Sequence, residues 1–532
     1  MNKINLSLVK LVKRAEDYDP EQIVQSFVSI DALSAQLNLP ENQILFGRRG
    51  TGKTHIFSFL QNQLKTKNNI TISIDMRQIG SSGGIYADAN KEITDRATRL
   101  LVDTLRAIHD SIHNQAIDNA EEWNLSNLSP ILDEFYDATT EVIAINDIKE
   151  TISYSDSKKK SNTASAKLSC SLKDIGIGFN YGNSSENDLI SSKNLSYTKT
   201  PLLKINFGSV NQKFKRIIQN LPSQKIWIFL DEWSEVPLDL QPYLADLLKR
   251  TLFPITGVTF KIAAIEQRSK FRISTAHGNI GIEIGADASA SLNLDEFLIF
   301  DNNKDLAKEF FKNLIYQHVK ALPQKELGFD LPDNSTDFAN LIFTQTHTLE
   351  EFVRASEGVP RDAINIINIA AQKANEGRIS VPIIRDSARI WFGRSKQQAI
   401  SSNSNAVKLL TWIIDEVIKH RKARGFLLEV SAKDKLIDFL YDERVLHIVK
   451  QSISSHDAPG KRFNVYNIDY GCYVELINTV NAPRDIFGQG ELELDENNDI
   501  KDENLSVPLT DYRSIRGAIL DLTKFKKETN SQ

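Results

Sequence analysis

Residues 47–54 read GRRGTGKT and follow the pattern G-x-x-x-x-G-K-[ST]. The chemistry such a segment would do is to hold a nucleoside triphosphate, ATP, together with magnesium. Gly47, Gly50 and Gly52 would let the backbone curl so that its N–H groups point inward around the phosphates, because no Cβ blocks the turn or the ligand. Lys53 would reach the terminal phosphates and the Thr54 hydroxyl would ligate Mg2+. Arg48, Arg49 and Thr51 complete the loop, and His55 opens the helix expected after it, whose positive end would face the anion. A second constellation is Asp231 and Glu232, directly after the apolar run IWIFL at residues 226–230. Adjacent acids point in different directions, so the first can hold magnesium while the second orients and deprotonates water. Alone, such a pair would read as an ordinary helix N-terminus. Downstream of a complete phosphate loop it reads as hydrolytic machinery.

Elements must position these residues. QILF precedes the loop as a short strand, THIFSFLQNQLKTK follows it as a helix, and ITISIDM is the next strand. EQIVQSFVSIDALSAQL upstream reads as one helix, and a long helical stretch is expected at about residues 94–119. KIWIFL has the continuous apolar character of a strand at the buried centre of a parallel sheet, and it is followed by the helix LDLQPYLADLLKRTLF and the strand VTFKIAAI. This alternation predicts an open α/β sheet with crossover helices. Between about residues 145 and 200, Ser, Asn and Lys dominate, interrupting the core. There KLSCSLKDIGIGFNY alternates so that Leu168, Cys170 and Leu172 would share one strand face, predicting an inserted hairpin; a disordered linker is the alternative. The chain turns helical from about residue 306 to 398, with FVRASEGVPRDAINIINIAAQKA its clearest element. After about residue 405 the order is helix, strand, helix, strand, turn, strand. The expected division is a core over residues 1–304, a helical region over 305–400, and an α+β domain with tail over 401–532.

Bulk properties bound the alternatives. A chain of 532 residues with 41% hydrophobic composition can bury more than one core. Net charge is −5, which argues against coating nucleic acid everywhere but leaves room for a local basic face. Cys170 and Cys472 suggest neither a disulfide framework nor a CxxC metal site, which fits a reducing compartment, the cytoplasm. No apolar stretch of about 18 residues occurs and the start lacks a signal-peptide pattern, so a membrane role is not expected. The nine histidines show no HExxH or similar spacing, and no nuclease, protease or deaminase constellation emerges.

With these motifs the sequence resembles the AAA+ ATPases, and within them the initiator clade of origin-recognition and replication-initiator ATPases and their bacterial relatives. The strand FKIAAIEQRS falls where that family has its first sensor, with Glu266, Gln267 and Arg268 as alternatives for the sensing residue. Gly358-Val359-Pro360-Arg361 is similar to the second-sensor G-x-P-R, whose arginine reaches over the nucleotide from a helical lid. The resemblance spans about residues 20–395, and the third region up to about residue 478 looks like the clade's winged helix. It implies an α/β fold with a P-loop AAA+ parallel sheet and helical lid, followed by a winged-helix-like α+β domain. It also implies ATP hydrolysis and homo-oligomers, in which Arg268 or Arg272 would act as a finger on a neighbouring subunit's ATP; surface arginines are the alternative reading. Only one clear helix separates the third region's first two strands, where a typical winged helix has two. Basic residues in KHRKAR at 419–424 and at Lys461 and Arg462, with Phe463 and Tyr466 nearby, could grip DNA phosphates or could simply solvate a surface. The expected function is an ATP-dependent switch that oligomerises, on DNA, and controls a partner protein. Similar stand-alone ATPases of bacteria often belong to mobile-element or antiphage modules. The alternative is a nucleotide-gated signalling or scaffold ATPase acting on protein without DNA.

Overall fold

The structure is a computed structural model describing residues 1–12, 18–80, 91–139, 142–147, 198–203, 205–276, 278–300, 303–323, 327–420, 424–432, 434–455, 458–478 and 519–530. Its strands are β1 Gln43–Phe46, β2 Ile70–Asp75, β3 Val142–Asp147, β4 Thr198–Leu203, β5 Ile226–Asp231, β6 Val258–Ala264, β7 Arg272–Thr275, β8 Gly278–Gly281, β9 Ser289–Asn293, β10 Gly425–Glu429, β11 Leu446–Ser455 and β12 Ala458–Ile468. The chain folds as two compact units. The first comprises Met1–Lys67, Ile262–Ser269 and Ser289–Gln532, and the second Asn68–Lys261 and Lys270–Ala288.

In the first unit, β1 lies between the end of β6 and β9, and runs parallel to β9 with Phe46 opposite Asn293. All four β1 residues are buried, as its apolar run requires. β9, with the mixed sequence SASLN, has no periodic signature and was not expected from the sequence. Helix Lys53–Thr66 follows the loop and buries Phe57, Leu60 and Leu64, spaced three and four residues apart on one face. The single helix expected upstream is two, Pro20–Ser26 and Asp31–Leu37. A capping box between Asp19 and Gln22 starts the first, and Phe27 turns extended to end it, which seats its ring on Phe59 at 3.8 Å between centroids.

Helices Lys304–Lys320, Ser335–Ile342, Thr346–Ala355, Pro360–Ala374 and Val381–Trp391 share a core around Phe311, Phe338, Phe352 and Ile367. The stretch expected as one element around GVPR is broken into two of these helices. Glu357 (φ 51°) and Gly358 (φ 74°) adopt left-handed conformations that end the first, and Pro360 begins the second. A π-helical turn, Phe392–Gln397, leads on to helix Ser404–Ile414 and the C-terminal region. There β10, β12 and β11 form an antiparallel sheet in that order, with helix Lys435–Asp442 the one helix between β10 and β11 among the described residues. Helix Tyr470–Asn478 packs against Val381–Trp391, an approach that only glycine permits at 471: a Cβ there would lie 2.4 Å from the Ala388 carbonyl oxygen. Ile519 bridges to Leu427 beside the sheet before helix Leu522–Asn530.

In the second unit β2 and β5 are parallel and in register, from Ile70 opposite Ile226 to Asp75 opposite Asp231. β6 follows β5, and both strands are buried throughout, in agreement with the central-strand reading of KIWIFL. The long helix is Ile93–Asp118. β3 and β4 pair antiparallel, with Asp147 opposite Thr198, so the two ends of the Ser/Asn/Lys-rich stretch lie side by side. The hairpin expected around Leu168, Cys170 and Leu172 lies outside the described residues, as do residues 421–423 of the basic run. No described helix is long and apolar enough to cross a membrane.

Candidate nucleotide-binding site

Gly50 (φ 87°) and Gly52 (φ 97°) both sit in the left-handed region, the conformations that glycine adopts without strain. Gly52 is the N-cap of helix Lys53–Thr66, so the loop turns directly into that helix and aims its first N–H groups at the loop. The buried Lys53 ammonium donates to the carbonyls of Gly47 (2.7 Å) and Arg48 (3.0 Å). The Thr51 hydroxyl donates to the same Arg48 carbonyl at 2.8 Å, and Gly47 N–H donates to Ala264 O at 3.1 Å, tying the loop to the end of β6. Arg361 N–H donates to Gly50 O at 3.2 Å, and a Cβ on Gly50 would lie 2.9 Å from the Arg361 Cβ. The GVPR segment thus meets the loop backbone to backbone. Thr54 occupies the helix's second position and is half-buried. His55 faces away into an aromatic group, donating from Nε2 to Ile23 O at 2.9 Å and packing near Tyr18, Phe27 and His318. Burial pushes His318 down to about 3, so it is neutral beside the Tyr18 hydroxyl at 2.7 Å.

Arg48 does not join the loop's inward face. It is 1% exposed, and Asp295 holds it twice: Oδ1 accepts from Nε at 2.8 Å and Oδ2 from the backbone N–H at 3.0 Å. Its guanidinium lies over the Tyr441 ring at 4.7 Å, and NH1 donates to His447 Nδ1 at 3.0 Å and to Leu446 O at 3.3 Å. Burial opposes the Arg48 charge, but the Asp295 carboxylate beside it outweighs that and raises its pKa. Burial lowers His447 to about 3, so the ring is neutral. With Nδ1 accepting from arginine, Nε2 carries the hydrogen and donates to Asp469 Oδ2 at 3.1 Å. The same oxygen accepts from Lys396 Nζ at 2.5 Å, and Lys396 lies 2.9 Å from Asp362 Oδ2, which Arg444 also approaches at 3.2 Å. Although burial opposes it, the Arg444 and Lys396 charges hold Asp362 down at about 2. Glu357, His447 and Asp469 come together closely enough to suggest a metal site. Their charge is already met, however, by Arg424 on Glu357 and Lys396 on Asp469.

Of the sensor and finger residues, Glu266 accepts from Asn293 Nδ2 at 3.0 Å, while Arg268 Nε pairs with Asp442 at 3.0 Å. Burial raises Asp442 to about 6 against the pull of Arg268; Arg49 also lies close enough to pull it down. In the second unit Asp231 ends β5 and accepts from Glu232 N–H at 2.8 Å through Oδ1. Glu232 is left-handed (φ 55°, ψ 40°), an unusual backbone for a residue with a Cβ, and Trp233 is fully buried behind it, stacked on Phe271 at 5.3 Å. Arg272 begins the β7–β8 hairpin and pairs with Glu283 at 3.2 Å, with 37% and 54% of the two side chains exposed.

The first unit therefore gathers residues 47–54, Arg361 and Arg268, and the second holds Asp231, Glu232 and Arg272, each group described by itself. Reading the sequence missed Asp295, Tyr441, His447, Asp469, Lys396 and Asp362. The available signal was a lone histidine in the apolar run VLHIV, a polar side chain that burial obliges to find partners.

Two solved structures are similar. Cdc6p from Pyrobaculum aerophilum matches at 11% identity and TM-score 0.30, over 86% of this chain and 96% of that one. The Aeropyrum pernix Orc1 protein, in complex with DNA, matches at 11% identity and TM-score 0.29, over 88% and 95%. No curated protein matches the chain. The ORC-CDC6-like family matches residues 11–342, from before the phosphate loop to within the helical region. That is more than half of the 532 residues, and the chain belongs to the ORC-CDC6-like family.

Proposed function

We propose that this chain is an ATP-binding and ATP-hydrolysing AAA+ switch that oligomerises on DNA and controls a partner protein. The observation that carries the reading is the loop itself: left-handed Gly50 and Gly52, a buried Lys53 at the head of its helix, and the Arg361 segment hydrogen-bonded to Gly50. In this reading Lys53 exchanges its loop carbonyls for the terminal phosphates, and the loop amides take the remaining phosphate oxygens. Arg361 reaches over the nucleotide from a lid spanning residues 305–400, between a core at 1–304 and a winged-helix-like domain at 401–532. The donor set offered by Thr54 and Asp231, a hydroxyl and a carboxylate, is the hard-oxygen type that suits Mg2+. When bound, that ion would neutralise charge on the terminal phosphates. Glu232 orients and deprotonates the attacking water. Arg268 or Arg272 acts on a neighbouring subunit's ATP, and each would first have to leave an acidic partner, the buried Asp442 for Arg268 and the exposed Glu283 for Arg272. A setting in a mobile-element or antiphage module is part of the proposal on the sequence resemblance alone.

A second reading, a scaffold ATPase acting on protein without DNA, is favoured by the C-terminal sheet. Among the described residues only one helix separates β10 from β11, Lys461 pairs with Glu429 at 2.7 Å, and Arg462 donates to Ser452 O at 3.1 Å. The test is ATPase rate with particle mass for wild type, Lys53→Ala and Glu232→Gln, with and without double-stranded DNA at several salt concentrations. The proposal expects no nucleotide binding by Lys53→Ala, and binding without turnover by Glu232→Gln. DNA should raise the wild-type rate and mass, the more so at low salt. ATP binding with no response to DNA moves the function to the protein-directed reading, and normal nucleotide binding by Lys53→Ala removes both.

A further inference from the structure

The phosphate loop is gripped from the C-terminal region by a buried chain of polar groups that closes on the loop at both ends. From Arg48 it runs through His447 Nδ1 (3.0 Å) and Nε2 to Asp469 (3.1 Å), then to Lys396 (2.5 Å) and Asp362 (2.9 Å). Asp362 is the residue after Arg361, whose N–H returns to Gly50 O at 3.2 Å. Arg48, His447, Asp469, Lys396 and Asp362 are each 2% exposed or less, so no water competes for these bonds. Each group has one chemical part to play. Asp469 needs a hydrogen on Nε2, which leaves Nδ1 as the acceptor that Arg48 needs. The Arg48 carbonyl in turn accepts from Lys53 and from the Thr51 hydroxyl. Turning Arg48 therefore moves the groups that would meet phosphate.

We propose that His447, fixed in its tautomer by Asp469, is a positioning residue for nucleotide binding, acting through Arg48 on the phosphate loop. The proposal rests on the reading that residues 47–54 bind ATP. It makes the C-terminal domain part of the nucleotide site without touching the nucleotide. By reciprocity, a partner that pulls on β11 would loosen ATP, and bound ATP would stiffen β11 against such a partner.

The experiment is magnesium-ATP affinity by calorimetry on the full chain for His447→Phe, His447→Gln and Arg48→Met, and for the double variant Arg48→Met/His447→Phe. Phenylalanine keeps the ring but not the acceptor; glutamine restores an acceptor and a donor. Expected are a loss of about tenfold or more for His447→Phe, recovery to within about threefold of wild type for His447→Gln, and no added loss for His447→Phe once Arg48 is methionine. If His447→Phe is not folded by circular dichroism, His447→Met takes its place in the same cycle. Wild-type affinity in the acceptor-less variant, failure of glutamine to rescue, or an equal loss in the Arg48→Met background each overturn the inference. Lys53→Ala separates it from the underlying reading: if that variant binds ATP as wild type does, the nucleotide site is wrong and the positioning role falls with it. If Lys53→Ala fails to bind while His447→Phe binds normally, only the positioning role is lost.

Discussion

Lys396→Met removes one cation from between two buried carboxylates while keeping a side chain of similar length. Lys396 is 2% exposed and lies 2.5 Å from Asp469 and 2.9 Å from Asp362; without it Asp469 keeps His447 and the Gly471 and Cys472 N–H groups, and Asp362 keeps Arg444 as its ion-pair partner. Methionine fills the space, so the loss is electrostatic and not a cavity effect. Burial alone would raise Asp362, so its depression from 3.8 to about 2 is a net stabilisation of its charge by roughly 2 kcal/mol, the excess of its cations over burial. Asp469 is also held down, against its burial and chiefly by Lys396, and breaking a buried pair costs about 3–5 kcal/mol, so a loss of about 4 kcal/mol at pH 7.5 is expected. In wild type these groups stabilise above the unfolded carboxylate range, and that contribution is lost only as pH falls through about 2 for Asp362. In the variant the unneutralised carboxylates titrate higher, so acid relieves them and the penalty shrinks from pH 7.5 to pH 5. The assay is urea denaturation followed by tryptophan fluorescence at both pH values. A loss under about 1 kcal/mol, or one that is equal at both pH values, refutes the view that Lys396 neutralises this pair. Adding Asp469→Asn should return part of the stability, since one buried charge is then gone.

Three further outcomes follow from local geometry. Gly50→Ala should weaken ATP binding about tenfold or more with the fold retained, because a left-handed alanine costs about 1–2 kcal/mol and its Cβ would press on Arg361; calorimetry checks it. Gly471→Ala should lower stability by about 2–3 kcal/mol in urea, since its Cβ would meet the Ala388 carbonyl and Phe392 and force two helices apart. Asp442 has a folded pKa raised from 3.8 to about 6, so its contribution is full below 3.8 and is lost as pH rises through 6, by roughly 3 kcal/mol. Asp442→Asn should therefore gain on wild type between pH 4.5 and 7, and a stability difference that is flat across that range would contradict the burial effect.

The sequence by itself determined the strand, loop and helix that frame residues 47–54, because a continuous apolar run, a glycine-rich turn and an amphipathic helix are each encoded within a few neighbouring residues. The burial of β5 and the place of Asp231 at its end were legible for the same reason. So was helix Lys435–Asp442, the one described between β10 and β11. The break at Glu357 and Gly358 was less so, since the glycine and proline were visible but the left-handed glutamate was not. What only the tertiary structure decided is where Arg48 goes. In the sequence it is an unspecified position of a phosphate-loop pattern; in the fold it is held by Asp295 and His447, which lie 247 and 399 residues along the chain. No local pattern specifies that arrangement, because each partner lies on an element far from the loop in sequence, and burial makes them pair only once packing has brought those elements together.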